Sequence, residues 1–209
     1  MHPKEAKKQR TGTGRLSHLC LPQSEILVGI DFTNNEHLNS LINDPKYQAF
    51  LMYPGEDALT ASSSKMRELL CPESDESQAK KKIPLIIIID STWFCSKKMI
   101  KQSKNLHTLP KLSFSGSYKS IFTFKTEPEE YCISTIESCY YMIKEMQKEN
   151  LCPKNADTEP LMTVFKKMIV FQLEKENERI TLGLPSTHPK DYKYTKIKEI
   201  PNFNSSGQD

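Results

Sequence analysis

Asp90 stands directly after an apolar run, Leu85-Ile86-Ile87-Ile88-Ile89, and opens the tetrad Asp90-Ser91-Thr92-Trp93, which holds the only tryptophan of the chain. In open α/β sheets ligands gather beyond the carboxyl ends of the strands, so a carboxylate there is well placed to move a proton or hold a cation. The same residues also suit a plainer arrangement, in which Asp90 caps the next helix, Thr92 assists and Trp93 packs beneath it. A second constellation is His2-Pro3-Lys4-Glu5, followed by Arg10-Thr11-Gly12-Thr13-Gly14-Arg15. Glycines beside hydroxyls and guanidinium groups suit a loop that approaches an anion or a cofactor. The spacing is not that of a Walker A loop, and a solvated basic arm is the alternative. A third is Ser134-Thr135-Ile136-Glu137, where Ser, two residues, then Glu is also the pattern of a helix capping box. His18, His37, His107 and His188 lack ligand-like spacing, and the six cysteines form no Cys-x-x-Cys pair, so no metal site is expected.

A charge asymmetry surrounds the tetrad. Residues 91–119 contain Lys97, Lys98, Lys101, Lys104, Lys111 and Lys119 and no acid; the first fifteen residues add Lys4, Lys7, Lys8, Arg10 and Arg15 against Glu5 alone. The acids lie in 56–76, 127–130 and 174–178. Brought together in space, the two basic segments would make a phosphate-binding surface; kept apart, they are two solvated faces. The net charge of +3, from 29 basic and 26 acidic residues, hides this pattern and by itself does not mark a nucleic-acid binder.

The elements that must position these residues follow from periodicity. Apolar runs at 26–30, 49–53 and 85–89 read as strands, the last apolar on both faces as a central parallel strand must be. Residues 117–124 alternate as a further strand. Helical spacing is found at 36–43, weakly at 59–70, at 94–104, and along Ile133, Ile136, Tyr140, Ile143 and Met146. Leu161, Val164, Phe165 and Met168 carry it in the last helix. Strands alternating with helices imply an α/β domain with a mainly parallel sheet and flanking helices. The 209 residues fit a single domain spanning 1–186, followed by a polar tail at 187–209 whose last residues, 204–209, are expected to be disordered.

Several classes fall away. No stretch is apolar over about 18 residues, so no membrane span is expected. The basic start carries no apolar signal segment. With 37% apolar residues the chain still has enough to build a core. Cysteines without a secretory signal read as small hydrophobes in a reducing, cytoplasmic protein.

Taken in order, these pieces resemble the DTW-domain family, named for an Asp-x-Thr-Trp motif at the end of an apolar strand. The matching residues are His2, Pro3 and Glu5; Thr11 and Thr13; Tyr53-Pro54; Asp90, Thr92 and Trp93; and Ser134, Thr135 and Glu137. They cover roughly residues 1 to 170. Gly12 stands where the family usually has Asn, and Lys125 where an Arg is common, a point charge in place of a planar fork. The strand and the cysteine cluster that the family places before His-Pro-x-Glu have no counterpart, so a neighbouring strand is expected to keep unpaired backbone groups.

The resemblance implies a fold like that of the SPOUT methyltransferases, knotted or not. It also implies an activity: S-adenosylmethionine as donor, transfer of its 3-amino-3-carboxypropyl group to N3 of a uridine in tRNA, and release of methylthioadenosine. On this reading Asp90 engages the N3 proton, with Glu5 as the second carboxylate. Tyr53, Pro54, Thr92, Trp93, Leu109, Ser134, Thr135 and Glu137 hold the donor. Arg10, Arg15, Lys97, Lys98, Lys101 and Lys125 hold the tRNA. The competing readings are an RNA methyltransferase of the related knotted class and a non-catalytic RNA-binding relative.

Overall fold

The computed structural model describes residues 1–8, 11–72, 81–122, 132–185 and 196–203. Among them seven helices surround a parallel sheet of three strands. β1 (Tyr47–Met52) is central, with β2 (Ile83–Ile88) on one side in the register Tyr47↔Ile83 to Met52↔Ile88. The short β3 (Lys111–Leu112) pairs with Leu51 and Met52 on the other side. Leu59 then bridges in parallel to Leu112 at the outer edge.

β1 is the strand buried on both faces. Phe50 enters a cluster with Met66, Leu70, Leu112, Met142 and Met146, while Leu51 points the other way, to Phe32, Leu38, Met99 and Leu106. Fully burying one such side chain contributes about 1.5–3 kcal/mol. The apolarity of β2, the greatest of any run in the chain, predicts a central place for it. It lies instead at an edge and is half-buried along Pro84–Ile88, with Ile83 exposed. Two-faced apolarity tells that both faces are covered in part; it does not tell how many strands lie alongside.

Residues 26–30 form no strand. Among the described residues their backbone pairs with the backbone of Met1 alone: Leu27 O accepts from the Met1 amine at 2.8 Å and Gly29 N donates to Met1 O at 3.2 Å. His2 N turns the other way, donating to Asp90 O at 3.0 Å, so the first two residues tie this segment to the end of β2. Residues 117–122 are likewise not a strand, and 123–124 lie outside the described residues.

The basic start is neither a glycine loop nor a solvated arm. It folds as α1 (Pro3–Lys8) and α2 (Thr13–Cys20). Leu16 and Cys20 of α2 pack into a third cluster, whose centre is Ile136, Leu161, Phe165 and Ile169 of α6 (Thr135–Lys148) and α7 (Glu159–Thr181). α3 (Glu36–Asn43) matches the periodicity and is capped by Asn35, whose side chain accepts from Leu38 N. α4 (Ser64–Leu70) is shorter than expected, because Ser63 caps it and leaves Leu59 free to join the sheet. α5 (Trp93–Gln102) follows β2 after four residues. At the far end, Asn177 exchanges hydrogen bonds with the backbone of Lys198, and Phe203 packs on the α6–α7 cluster, so 196–203 lies along α7. Among the described residues no helix is long and apolar enough to cross a membrane.

Candidate active site

All three strands are parallel, so their carboxyl ends share one edge, and a cleft of about 890 Å³ opens there. Tyr53 and Pro54 enter it from the end of β1, Ile89 and Asp90 from the end of β2, and Ser113 from the end of β3. Its volume lies in the range of about 300–1,000 Å³ usual for small-molecule sites. The N-terminus of α6, through Ser134 and Thr135, and the start of α2, through Thr11 and Thr13, complete the walls.

Asp90 does not cap the following helix. Thr92 does, its Oγ1 accepting from Cys95 N. The Asp90 carboxylate is therefore left for the cleft. Its Oδ1 accepts from the Thr135 hydroxyl at 2.8 Å, and among the described residues it has no other side-chain partner. Behind it lies Gly14, where a Cβ would fall 2.5 Å from both Cγ and Oδ2. Only glycine leaves the carboxylate this place, although Gly14 sits in ordinary helix. Burial pushes the thiol of Cys139 up to about 11, and the charge of nearby Asp90 adds to the rise. That cysteine stays neutral and packs in the α6–α7 core.

Trp93 and Tyr53 form a tilted aromatic pair, centroids 6.0 Å apart, on the cleft wall. A ring face there can take a cation or a flat heterocycle. Glu5 also lines the cleft. Among the described residues no three His, Cys, Asp or Glu side chains cluster as metal ligands would.

Two buried carboxylates hold the rim. Glu137 is fully buried and completes the capping box with Ser134. It accepts from Ser134 N at 2.8 Å and Ser134 Oγ at 2.6 Å, and also from Ser120 Oγ and Ile121 N, both at 2.8 Å. Glu145, further along α6, accepts from Ser115 N, Gly116 N and the Tyr118 hydroxyl. Burial, and then this bond, push the Tyr118 hydroxyl up to about 12. Tyr118 stacks on Tyr141 with centroids 3.9 Å apart. Both carboxylates thus pin the segment 113–122 across the cleft.

Of the residues expected at the site, Glu5, Tyr53, Pro54 and Asp90 line the cleft, as do Thr92, Trp93, Ser134 and Thr135. Glu137 and Leu109 do not. Glu137 faces inward, and Leu109 packs behind the sheet with Leu51 and Met99. Arg15 is turned back, its Nη2 donating to Ala6 O at 2.6 Å, so it braces α1 against α2. Lys97, Lys98 and Lys101 are placed on α5, with Lys97, Lys98 and Lys101 all exposed. Arg10 and Lys125 lie outside the described residues. Sequence reasoning placed Gly14 in a loop that approaches a ligand, not in a helix behind Asp90, and it missed Glu145. Glu145 had a signal, an acid on the same helical face as the core residues Met142 and Met146.

Comparison with known proteins agrees with the family resemblance. The DTW domain matches residues 1–173. A curated relative, tRNA-uridine aminocarboxypropyltransferase 2 of Macaca fascicularis, is 23% identical over 175 residues, which are 83% of this chain and 53% of the relative. The chain therefore spans about half the length of that relative. No solved structure matches it significantly. With a domain match over most of its length and its Asp-Ser-Thr-Trp tetrad at the carboxyl edge of the sheet, the chain belongs to the DTW-domain family.

Proposed function

We propose that the protein transfers the 3-amino-3-carboxypropyl group of S-adenosylmethionine to N3 of a uridine in tRNA. The observation that carries this reading is Asp90, fixed by Thr135 in a cleft that Trp93 and Tyr53 wall, in a chain of the DTW family. The name of the curated relative, a tRNA-uridine aminocarboxypropyltransferase, supports it.

The residues present suit such a donor. The cleft volume accommodates a nucleoside with an amino-acid arm. The Trp93 face suits a sulfonium or an adenine, the carboxylates of Asp90 and Glu5 suit an ammonium, and the hydroxyls of Ser113 and Ser117 suit a carboxylate. When bound, S-adenosylmethionine supplies a carbon activated by an adjacent sulfonium. What remains for the chain is alignment, which can account for much of a barrier reduction. Asp90 receives or orients the uridine N3–H, and Thr135 keeps its carboxylate from rotating. Uridine N3–H is a very weak acid, so Asp90 takes or orients its proton only as the new bond forms.

Product analysis tests the reading directly. Incubation with S-adenosylmethionine and unmodified tRNA should release methylthioadenosine and yield an aminocarboxypropyl-uridine by mass spectrometry. Release of S-adenosylhomocysteine would instead favour methyl transfer, and no product would favour a binding protein.

Gly14→Ala should separate site geometry from stability. Alanine gains about 1 kcal/mol in helix propensity, and overpacking costs about 1–3 kcal/mol, so the net cost is at most about 2 kcal/mol and Tm should fall by no more than about 8 °C. The displaced Asp90 carboxylate should cut turnover at least tenfold. Turnover equal to the parent's would show that the carboxylate position is not critical.

A further inference from the structure

Helix α5 has a face that neither the cleft floor nor the core uses. Ser96 and Met99 point inward. Phe94, Lys97, Lys98 and Lys101 are exposed and follow the i, i+3, i+4, i+7 spacing, so they make one stripe on the opposite side. Phe94 is 84% exposed, more than any other large apolar side chain among the described residues, and it lines the mouth of the cleft. The three lysines have no ion-pair partner among the described residues. Lys97 and Lys101 are spread over about 6 Å of helix axis.

We infer that this stripe is a docking track for single-stranded RNA: Phe94 stacks on an unpaired base beside the nucleotide that enters the cleft, and Lys97, Lys98 and Lys101 hold its phosphates. The inference rests on the proposed function and adds the element that presents the substrate. A ring among point charges fits a nucleotide chain, which offers a flat base and a phosphate at every step. A lipid surface calls for a broader apolar face than one ring. An acidic peptide would satisfy the lysines but give no reason for the ring to stand on the cleft rim. Stacking on Phe94 also explains how a base can be kept out of a helix long enough to react, since extrusion has an unstacking cost that a new stack offsets.

The test needs neither donor nor turnover. Binding is measured by fluorescence anisotropy with a labelled five-nucleotide oligouridylate and with an abasic ribose-phosphate oligomer of the same length. The parent should prefer the base-bearing oligomer by about tenfold. Phe94→Ala should lose that preference and bind the abasic oligomer unchanged; Phe94→Tyr should keep it. Replacing Lys97, Lys98 and Lys101 by Ala should weaken both oligomers and lower the slope of log K against log salt by about 2, at about 0.7 per single-strand phosphate. Because Phe94 is exposed, its variants should melt with the parent. The inference is overturned if Phe94→Ala binds oligouridylate as the parent does, if it loses equally for both oligomers, or if the parent shows no preference. An unchanged salt slope in the lysine variant overturns it too, as does preference for anionic phospholipid vesicles over oligouridylate. A loss of methylthioadenosine release with oligomer binding intact would instead strike the proposed chemistry and leave the track standing.

Discussion

Asp90→Asn should reduce methylthioadenosine release by at least a hundredfold while the protein melts within a few degrees of the parent. Asparagine keeps the shape, and its carbonyl can still accept from Thr135 Oγ1 as Asp90 Oδ1 does at 2.8 Å. Only the charge is lost. Proton transfer by a positioned side chain contributes about 10²–10⁴ in rate, and an ammonium that loses its carboxylate partner loses a charge-assisted hydrogen bond. With S-adenosylmethionine held below its KM either role predicts a large loss, and near-normal transfer under that condition would remove Asp90 from both.

The two roles separate in the kinetics. A group that takes or orients the N3 proton acts at the reacting atoms, so its loss lowers kcat and kcat/KM together. A group that holds the donor's ammonium binds ground state and transition state alike, so its loss raises KM for S-adenosylmethionine and spares kcat. Glu5, on the same cleft, is the natural comparison. If Glu5→Gln raises KM and Asp90→Asn lowers kcat, the carboxylates divide the labour, one on the donor and one on the acceptor.

The site is easier to read from the sequence than the fold around it. Asp90 can be found because an apolar strand ending in a carboxylate is a local pattern, and a parallel sheet brings such ends to one edge. The rank of β2 in the sheet cannot, because apolarity on both faces is compatible with an edge strand under partial cover. α1 escapes notice because it is six residues long and mostly charged, and α2 because it is short and holds a glycine in its first turn; tertiary packing of Leu16 and Cys20 on the α6–α7 cluster decides the helicity of α2. The DTW resemblance supplies the order of the motifs; the donor reading built on it takes in Glu137 and Leu109, neither of which lines the cleft. The capping box of Glu137 is visible at three-residue spacing. Its bonds to Ser120 and Ile121 are not, because no periodic signal links a helix start to an irregular segment about sixteen residues before it.

Those bonds make Glu137 the strongest single prediction about stability. Its carboxylate is fully buried and receives four hydrogen bonds, two from Ser134 and one each from Ser120 and Ile121. Removing an acceptor from buried donors costs about 1–3 kcal/mol for each group left without a partner. Some relaxation of Ser120 and Ser134 hydroxyls offsets part of that, since they can rotate to other acceptors; the amides of Ile121 and Ser134 cannot. Glu137→Ala should therefore cost about 3–5 kcal/mol, comparable to breaking a buried ion pair. For a domain of this size that is a fall in Tm of roughly 10 °C or more. Glu137→Gln should lie between, since its one carbonyl oxygen can serve one amide while its NH2 faces the other. Thermal melting followed by circular dichroism decides the matter without any substrate. A Glu137→Ala protein that melts with the parent but needs far more S-adenosylmethionine would return this residue to the donor site; a fall in Tm with unchanged KM in the surviving folded fraction would make it the post that holds residues 120–122 beside the cleft.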